Sequence, residues 1–301
     1  MKIQNRAKIC LCISIVIMLV AVVMSLTGHG INYGIDFAGG LNLQYDMGST
    51  YDKADVEEAL KAQGIEEFVV STVGSEGTAV QIRVPTLSDE DEVQNLQNGL
   101  ETTLLEKYPN MDTDNATASY VGPVAGATLV RNAIFSVLIA AVLMLIYIAF
   151  RFDLFSGIAA VAGLLHDVLI MISFMVILRN VIQMNSSFIA AMLTIVGYSI
   201  NNTIVIFDRI RENARKMPSS TPRVDVVNRS IKECLGRTIN TTLTTLVTIV
   251  TLYILGVASI REFSLPIIIG ILAGAYSANL INGYVWAFLE EKKRAKKAAK
   301  A

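Results

Sequence analysis

The chain has 301 residues, of which 53% are hydrophobic and 17% charged, with a formal net charge of −1. Soluble domains of this size carry about 25% charged residues, so this composition, with a mean hydropathy of +0.51, excludes an ordinary soluble enzyme. Three cysteines and two histidines supply neither a disulfide framework nor a His-rich zinc centre, and no cofactor, metal or nucleic acid is expected.

Residues 9–27 form the first of six stretches long enough to cross a bilayer, which takes about 20 apolar residues. This stretch lacks a small-x-small cleavage site and is read as a retained span. Beyond it lies Asn32-Tyr-Gly-Ile-Asp-Phe-Ala-Gly-Gly-Leu41. There Gly39 and Gly40 permit positive φ and close backbone approach, and Asp36 is placed to accept hydrogen bonds from the turn. The segment lacks the Lys-Ser/Thr of a phosphate-binding loop, so its role is structural.

Residues 28–127 read as an inserted β-α-β-β-α-β domain, a split βαβ or ferredoxin-like order. Leu41-Asn-Leu-Gln-Tyr45 alternates as a half-buried strand. A helix over 52–63 places Val56, Ala59, Leu60 and Gln63 on one face, and Gly64 stops it. Strands follow at 68–73 and 79–84, joined by a turn at 74–77. Ser88 with Asp91 resembles a capping box for a helix running to Lys107. Thr117-Ala-Ser-Tyr-Val121 supplies the last strand.

Five further spans are placed at 128–149, 154–178, 187–207, 238–258 and 263–288. Hydrocarbon penalises polar side chains, so those within spans face a bundle interior or a conducting path. Span three carries His166-Asp167, readable as a proton or ion relay or as a packed polar pair. Span four carries Ser199, Asn201, Asn202 and Thr203, none of which titrates near neutral pH. Asp208, Arg209, Arg211 and Glu212 at its end read as an interfacial ion network. Span five opens at Arg237, followed by Thr238, Thr241, Thr242 and Thr245 at spacings that form one polar stripe. Arg237 reaches either the interface or a carboxylate on another helix. Gly270, Gly274, Ala278 and Gly283 in span six permit close helix approach, and Pro266 permits a kink.

Charge fixes the expected orientation. Lys2, Arg6 and Lys8, the basic loop 208–237 and the basic tail 291–301 fall on one side if there are six spans. The positive-inside rule makes that side cytoplasmic, with both termini there. Residues 28–127, with 17 acidic against four basic residues, then lie outside. The expected organisation is a polytopic all-α bundle of six transmembrane helices with an extracytoplasmic α+β ferredoxin-like domain. Its divisions are 1–27, 28–127, 128–290 and 291–301. No Walker motif, nucleophile elbow or HExxH is present, and no enzyme activity is expected.

At these motifs the chain resembles the SecF branch of the SecD/SecF family, in the resistance-nodulation-division superfamily. Gly34-Ile-Asp-Phe-Ala-Gly-Gly40, Val121-Gly-Pro-Val-Ala-Gly126 and Leu165-His-Asp-Val-Leu169 look like family segments. The residues from Gly197 to Asn213 and from Arg237 to Leu246 match most specifically, and the resemblance covers roughly 8–290. One departure stands out: Asn202 occupies the place of a family aspartate linked, with the arginine matching Arg237, to proton coupling. The resemblance implies an auxiliary subunit of the Sec translocase in a bacterial cytoplasmic membrane. It would act with a SecD-like subunit in a 12-helix assembly, beside the SecYEG channel and indirectly SecA. The cation gradient would drive late translocation of unfolded preprotein. The alternatives are a half-size exporter of lipids or small solutes from the same superfamily and a purely structural membrane scaffold.

Overall fold

The computed structural model describes residues 3–73, 77–85, 87, 90–218 and 220–298. Two compact units emerge: Tyr33–Ala133 with Met184–Ser186, and Met1–Asn32 with Ile134–Gln183 and Ser187–Ala301.

The first unit is built on a short helix α2 (Ile35–Ala38), strand β1 (Gly40–Asp46), helix α3 (Lys53–Ala62), and strands β2 (Val69–Val73) and β3 (Ala79–Val84). Helix α4 (Glu90–Lys107) and strand β4 (Asp112–Val121) complete it. The sheet order is β2-β3-β1-β4 with every pair antiparallel, the ferredoxin-like arrangement. Alternation in β1 sends Leu41, Leu43 and Tyr45 into the core, where Val80, Ile82, Val56, Leu60 and Leu100 meet them. Asp52 accepts from the Ala54 N–H and starts α3. Gly64, at φ 78°, follows its end. Gln63 does not join the buried face; it is the exposed C-cap, because the helix has already run out. The capping residue Ser88 lies outside the described residues, as do residues 74–76 of the turn.

Strand β4 begins five residues before the expected Thr117, at Asp112. Its early residues are polar because it is an edge strand, so no apolar alternation announces it. The Asp112 side chain accepts from the N–H groups of Asp114 and Asn115. Gly40 sits at φ 110°, where a Cβ would come 2.3 Å from the Val84 carbonyl oxygen. The double glycine therefore lets β1 start against the end of β3.

The second unit holds most of the apolar helices. Among the described residues, 6 helices are long and apolar enough to span a membrane, matching the number and order of the expected spans. These begin with α1 (Ile3–Leu26), α5 (Pro123–Arg151) and α6 (Leu154–Ile177). Helices α7 (Ser186–Lys216) and α8 (Arg223–Leu255) follow. The last span combines α9 (Ala258–Ser277), a π-helical turn (Ala278–Asn282) and α10 (Gly283–Ala298).

Two features depart from expectation. The segment 208–237 is not a loop: α7 continues to Lys216 and α8 begins at Arg223. Oppositely charged pairs three and four residues apart, Arg209–Glu212, Lys216–Glu212 and Arg229–Glu233, support helix where apolar packing ends. Pro218 and Pro222 stand between the two helices. The last span is also not one regular helix, since the π turn inserts a residue well beyond Pro266.

Helices α3 and α4 are tied by charge as well as by core. Lys107 Nζ and the Tyr108 hydroxyl donate to the two oxygens of Asp55, each at 2.5 Å. The Lys107 bond first, then that of Tyr108, holds the Asp55 carboxyl below its ordinary value of 3.8. A carboxyl lowered in the folded state contributes stability above its unfolded value, and loses it as pH falls through the folded value. Hydrogen exchange on the full chain should show α3 protection level above about pH 4 and falling below it, with that step absent in Asp55→Asn. A step of equal size in the variant would contradict the assignment.

Candidate functional site

The apolar unit closes around one carboxylate. Asp167 on α6 is 0% exposed, at a depth where an unpaired charge costs about 2.5–3.5 kcal/mol on insertion scales. Ser199 Oγ of α7 donates to Asp167 Oδ2 at 2.5 Å, and Ser277 Oγ of α9 donates to the same oxygen at 2.9 Å. His166 Nδ1 stands 2.9 Å from Oδ1.

The other imidazole nitrogen carries the network outward. His166 Nε2 lies 2.8 Å from the Tyr276 hydroxyl and 2.9 Å from Ser14 Oγ, and those two oxygens are 2.7 Å apart. With Nδ1–H donating to Asp167, Nε2 is an acceptor for the Tyr276 or the Ser14 hydroxyl, and Ser14 Oγ also lies 3.0 Å from the Cys10 carbonyl. Tyr276 also packs edge-on against the imidazole, with centroids 5.2 Å apart. Residues from α1, α6, α7 and α9 thus share one hydrogen-bonded cluster.

Glycine makes the approach possible. A Cβ on Gly274 would sit 3.0 Å from that of Ser199, and one on Gly270 would meet Ile195 at 2.5 Å. The small residues of α9 therefore bring α7 within reach of Asp167, as their spacing suggested.

A second polar layer surrounds the π turn. Asn282 Nδ2 donates to Thr203 Oγ1 at 2.8 Å, and Thr203 donates to the Ser199 carbonyl at 3.2 Å. Thr238 Oγ1 donates to Asn279 Oδ1 at 3.2 Å, while Asn279 Nδ2 donates to the Ala275 carbonyl at 2.7 Å. Among the described residues, the buried atoms Asn202 Nδ2, Asn282 Oδ1 and Thr242 Oγ1 have no hydrogen-bond partner. Among the described residues, no group of three or more His, Cys, Asp or Glu is arranged to hold a metal ion.

The expected coupling residues divide into two sets. His166, Asp167 and Asn202 are buried. Asn201, Arg237 and Thr241 are exposed on the surface of the chain. Among the described residues, the Arg237 side chain makes no ion pair or hydrogen bond, while its carbonyl accepts from Thr241. The threonines of α8 do not form one stripe: Thr238 and Thr242 are buried, Thr241 is exposed and Thr245 is half-buried. Helical rotation explains the split, because Thr241 and Thr242 differ by about a quarter turn.

The interfacial network is also redrawn. Arg209 binds Glu212 at 2.5 Å and Glu233 at 2.6 Å, and Arg229 binds Glu233 at 3.0 Å. Asn213 Nδ2 donates to Glu233 at 2.7 Å. Asp208 is exposed and outside this network, and Arg211 instead donates to the Arg151 carbonyl at 3.3 Å. Glu233, from α8, is the centre that sequence reading of α7 alone could not supply.

In the smaller unit, Asp36 Oδ2 accepts the Ser186 N–H at 2.7 Å, and the Gly34 N–H donates to the Met184 carbonyl. Asp36 thus holds a segment 150 residues away rather than its own turn. Gly39, at φ 78°, caps α2, and Gly126 lies where a Cβ would be 3.0 Å from the Phe37 carbonyl.

Sequence reading passed over Ser14, Tyr276, Ser277, Asn279 and Asn282. The signal was present, since each is a polar residue within an apolar span. Their partners depend on helix rotation and on the π turn, which no periodicity displays.

Gly163 provides a test of the second layer. A Cβ there would fall 1.9 Å from Asn282 Oδ1, so Gly163→Ala must push Asn282 away from Thr203. The expected loss is about 1–3 kcal/mol, read by denaturation in detergent. A double-mutant cycle with Asn282→Ala should recover most of it. Additive losses would show that the two residues are not in contact.

Comparison with known proteins follows the same lines. Residues 101–292 match the family model "Protein export membrane protein SecD/SecF, C-terminal", and residues 25–49 match "SecD/SecF GG Motif". The second match contains Asp36, Gly39 and Gly40. The protein translocase subunit SecF of Rickettsia bellii is 34% identical over 290 residues, covering 96% of this chain and 93% of that protein. SecDF of Bacillus subtilis is 34% identical over 272 residues, of which this chain spans 35% of the length. The crystal structure of SecDF from Thermus thermophilus superposes with a TM-score of 0.80 at 32% identity, covering 96% of this chain and 38% of that one. With matching motifs, helix order and inserted domain, the chain belongs to the SecD/SecF family of protein-export membrane proteins.

Proposed function

We propose that this chain is one half of a gradient-driven export device, acting with a SecD-like subunit as an auxiliary membrane component of the Sec translocase. The observation that carries the reading is a polar face left uncovered. Arg237, Thr241, Thr244, Thr248 and Thr251 recur at intervals of three and four along α8, all exposed, with Asn201 exposed on α7. The threonine hydroxyls satisfy themselves on carbonyls one turn back. Among the described residues, Arg237 and Asn201 have no such recourse. Lipid is a poor neighbour for a guanidinium and an amide, whereas a second membrane subunit carrying carboxylates suits both. A length near one-third of the SecDF chains agrees with this division of labour.

The finer assignments rest on the same argument. The SecYEG channel and, indirectly, SecA would hand over unfolded preprotein to the ferredoxin-like unit on the outer side. The basic helix ends and both termini would lie in the cytoplasm under the positive-inside rule. Asn202 has no charge state to offer near pH 7, so proton movement would run through Tyr276, His166 and Asp167 or through carboxylates of the partner. The chain acts by moving a substrate, not by breaking bonds in it, and is not an enzyme.

Export of a secretory reporter into vesicles, with proton and sodium gradients imposed separately, tests the proposal. Asp167→Asn preserves the shape of the cluster, because its amide donates to Nδ1 once the imidazole takes the other tautomer. Both Asp167→Asn and Arg237→Ala, at unchanged protein levels, should reduce gradient-stimulated export at least tenfold. Full stimulation in both variants would reject their assigned roles.

A further inference from the structure

A groove of 280 Å³ runs along α1 and the last span. Lys8 and Leu11 line one wall, and Ile281, Tyr284, Val285 and Phe288 line the other. Leu11 is 43% and Phe288 64% exposed, so the groove opens outward from the bundle. Its walls are apolar except at Lys8. The Tyr284 hydroxyl does not add polarity, because it turns away to donate to Asn228 Oδ1 at 2.6 Å.

A second cation stands beside Phe288, one of the lining residues. Lys292, one turn beyond Phe288, holds its Nζ 6.0 Å from that ring's centroid. Among the described residues neither Lys8 nor Lys292 enters an ion pair. The neighbouring acids on α10 are Glu290 and Glu291, of which Glu291 accepts the Arg223 N–H at 3.2 Å. The groove thus offers an apolar slot with Lys8 in its lining and Lys292 beside Phe288, neither held in an ion pair among the described residues.

From this we infer that the groove between α1 and α10 is a binding site for one anionic glycerophospholipid. An acyl chain lies against Leu11, Ile281 and Phe288, and the phosphate lies between Lys8 and Lys292. Membrane depth supplies the occupant, since an apolar slot facing the bilayer fills with lipid. Charge supplies the selectivity: an anionic headgroup gains both lysines, whereas a zwitterionic one brings its own ammonium to the same place. Basic recesses between helices at the membrane surface suit such headgroups. The site stands apart from the Asp167 cluster and would serve to fix α1 against the last span.

Native mass spectrometry of the purified full chain, titrated with phosphatidylglycerol or phosphatidylethanolamine, tests this directly. One phosphatidylglycerol should be retained in preference to phosphatidylethanolamine. The double variant Lys8→Gln, Lys292→Gln should weaken that retention by about thirtyfold, while Lys296→Gln, outside the groove, should leave it unchanged. Circular dichroism of the double variant should match wild type, as both lysines are exposed. Equal retention of the two lipids, or equal weakening by Lys296→Gln, would overturn the site. Complete loss of the bound lipid on adding a SecD-like subunit would also overturn it, by showing that protein covers the groove.

Discussion

A carboxylate without water must be given its hydrogen bonds by protein, and the apolar unit is organised around meeting that demand for Asp167. Three donors reach it, from His166 beside it and from Ser199 and Ser277 on two other helices. His166 extends the demand to α1 through Ser14 and to α9 through Tyr276. Removing His166 would leave Oδ1 unpaired, and removing both serines would leave Oδ2 so; an unpaired buried polar atom costs about 1–3 kcal/mol, and more for a charge. Hydrophobicity cannot choose between rotations of these helices, because lipid tails are as apolar as leucine. The polar cluster can. The glycines at Gly270 and Gly274 are part of the same solution, since serines of α7 and α9 reach one oxygen of Asp167 only where those backbones approach closely.

The same constraint read outward describes the rest of the bundle. Where polar groups are satisfied inside the chain, helices pack on one another; where they are exposed and unsatisfied, the chain lacks a neighbour. Arg237 and Asn201 belong to the second kind, on a face of α8 and α7 lined by self-satisfied threonines. Leu243, Val247 and Ile254, exposed on other sides of α8, need nothing beyond lipid. A helix with one polar and one apolar exposed side is suited to a boundary between a protein partner and the bilayer. The ion network of Arg209, Glu212, Arg229 and Glu233 continues the helices past that boundary, joining α7 to α8 where hydrocarbon packing stops.

Much of this was legible in the residues. Asp167 stood out because a charge in an apolar run is rare, and the β-α-β-β-α-β order followed from alternation, glycine stops and helical spacing. The double glycine beside Asp36 was readable as a backbone requirement. What escaped has physical reasons. Strand β4 is an edge, so its polar residues show no buried period. The stretch 208–237 looked like loop because its charges hide the pairing at three and four residues that keeps it helical. Ser14 and Tyr276 were invisible as partners because their meeting depends on helix rotation, and Asn279 and Asn282 because the π turn changes which way the last span faces. The division of Asn201 from Asn202, and of Thr241 from Thr242, turns on a single step of about 100° around a helix.

The central claim is that unsatisfied polar surface marks the partner and satisfied polar interior holds the chain together. Single cysteines placed along α8 measure it most directly, in a background lacking Cys10, Cys12 and Cys234, in membranes that also contain a SecD-like subunit. Cross-linking to that subunit should concentrate at positions 237, 241, 244 and 248, and be weak at 239, 243, 247 and 254. Equal cross-linking from both series, or cross-linking confined to the apolar one, would contradict the account.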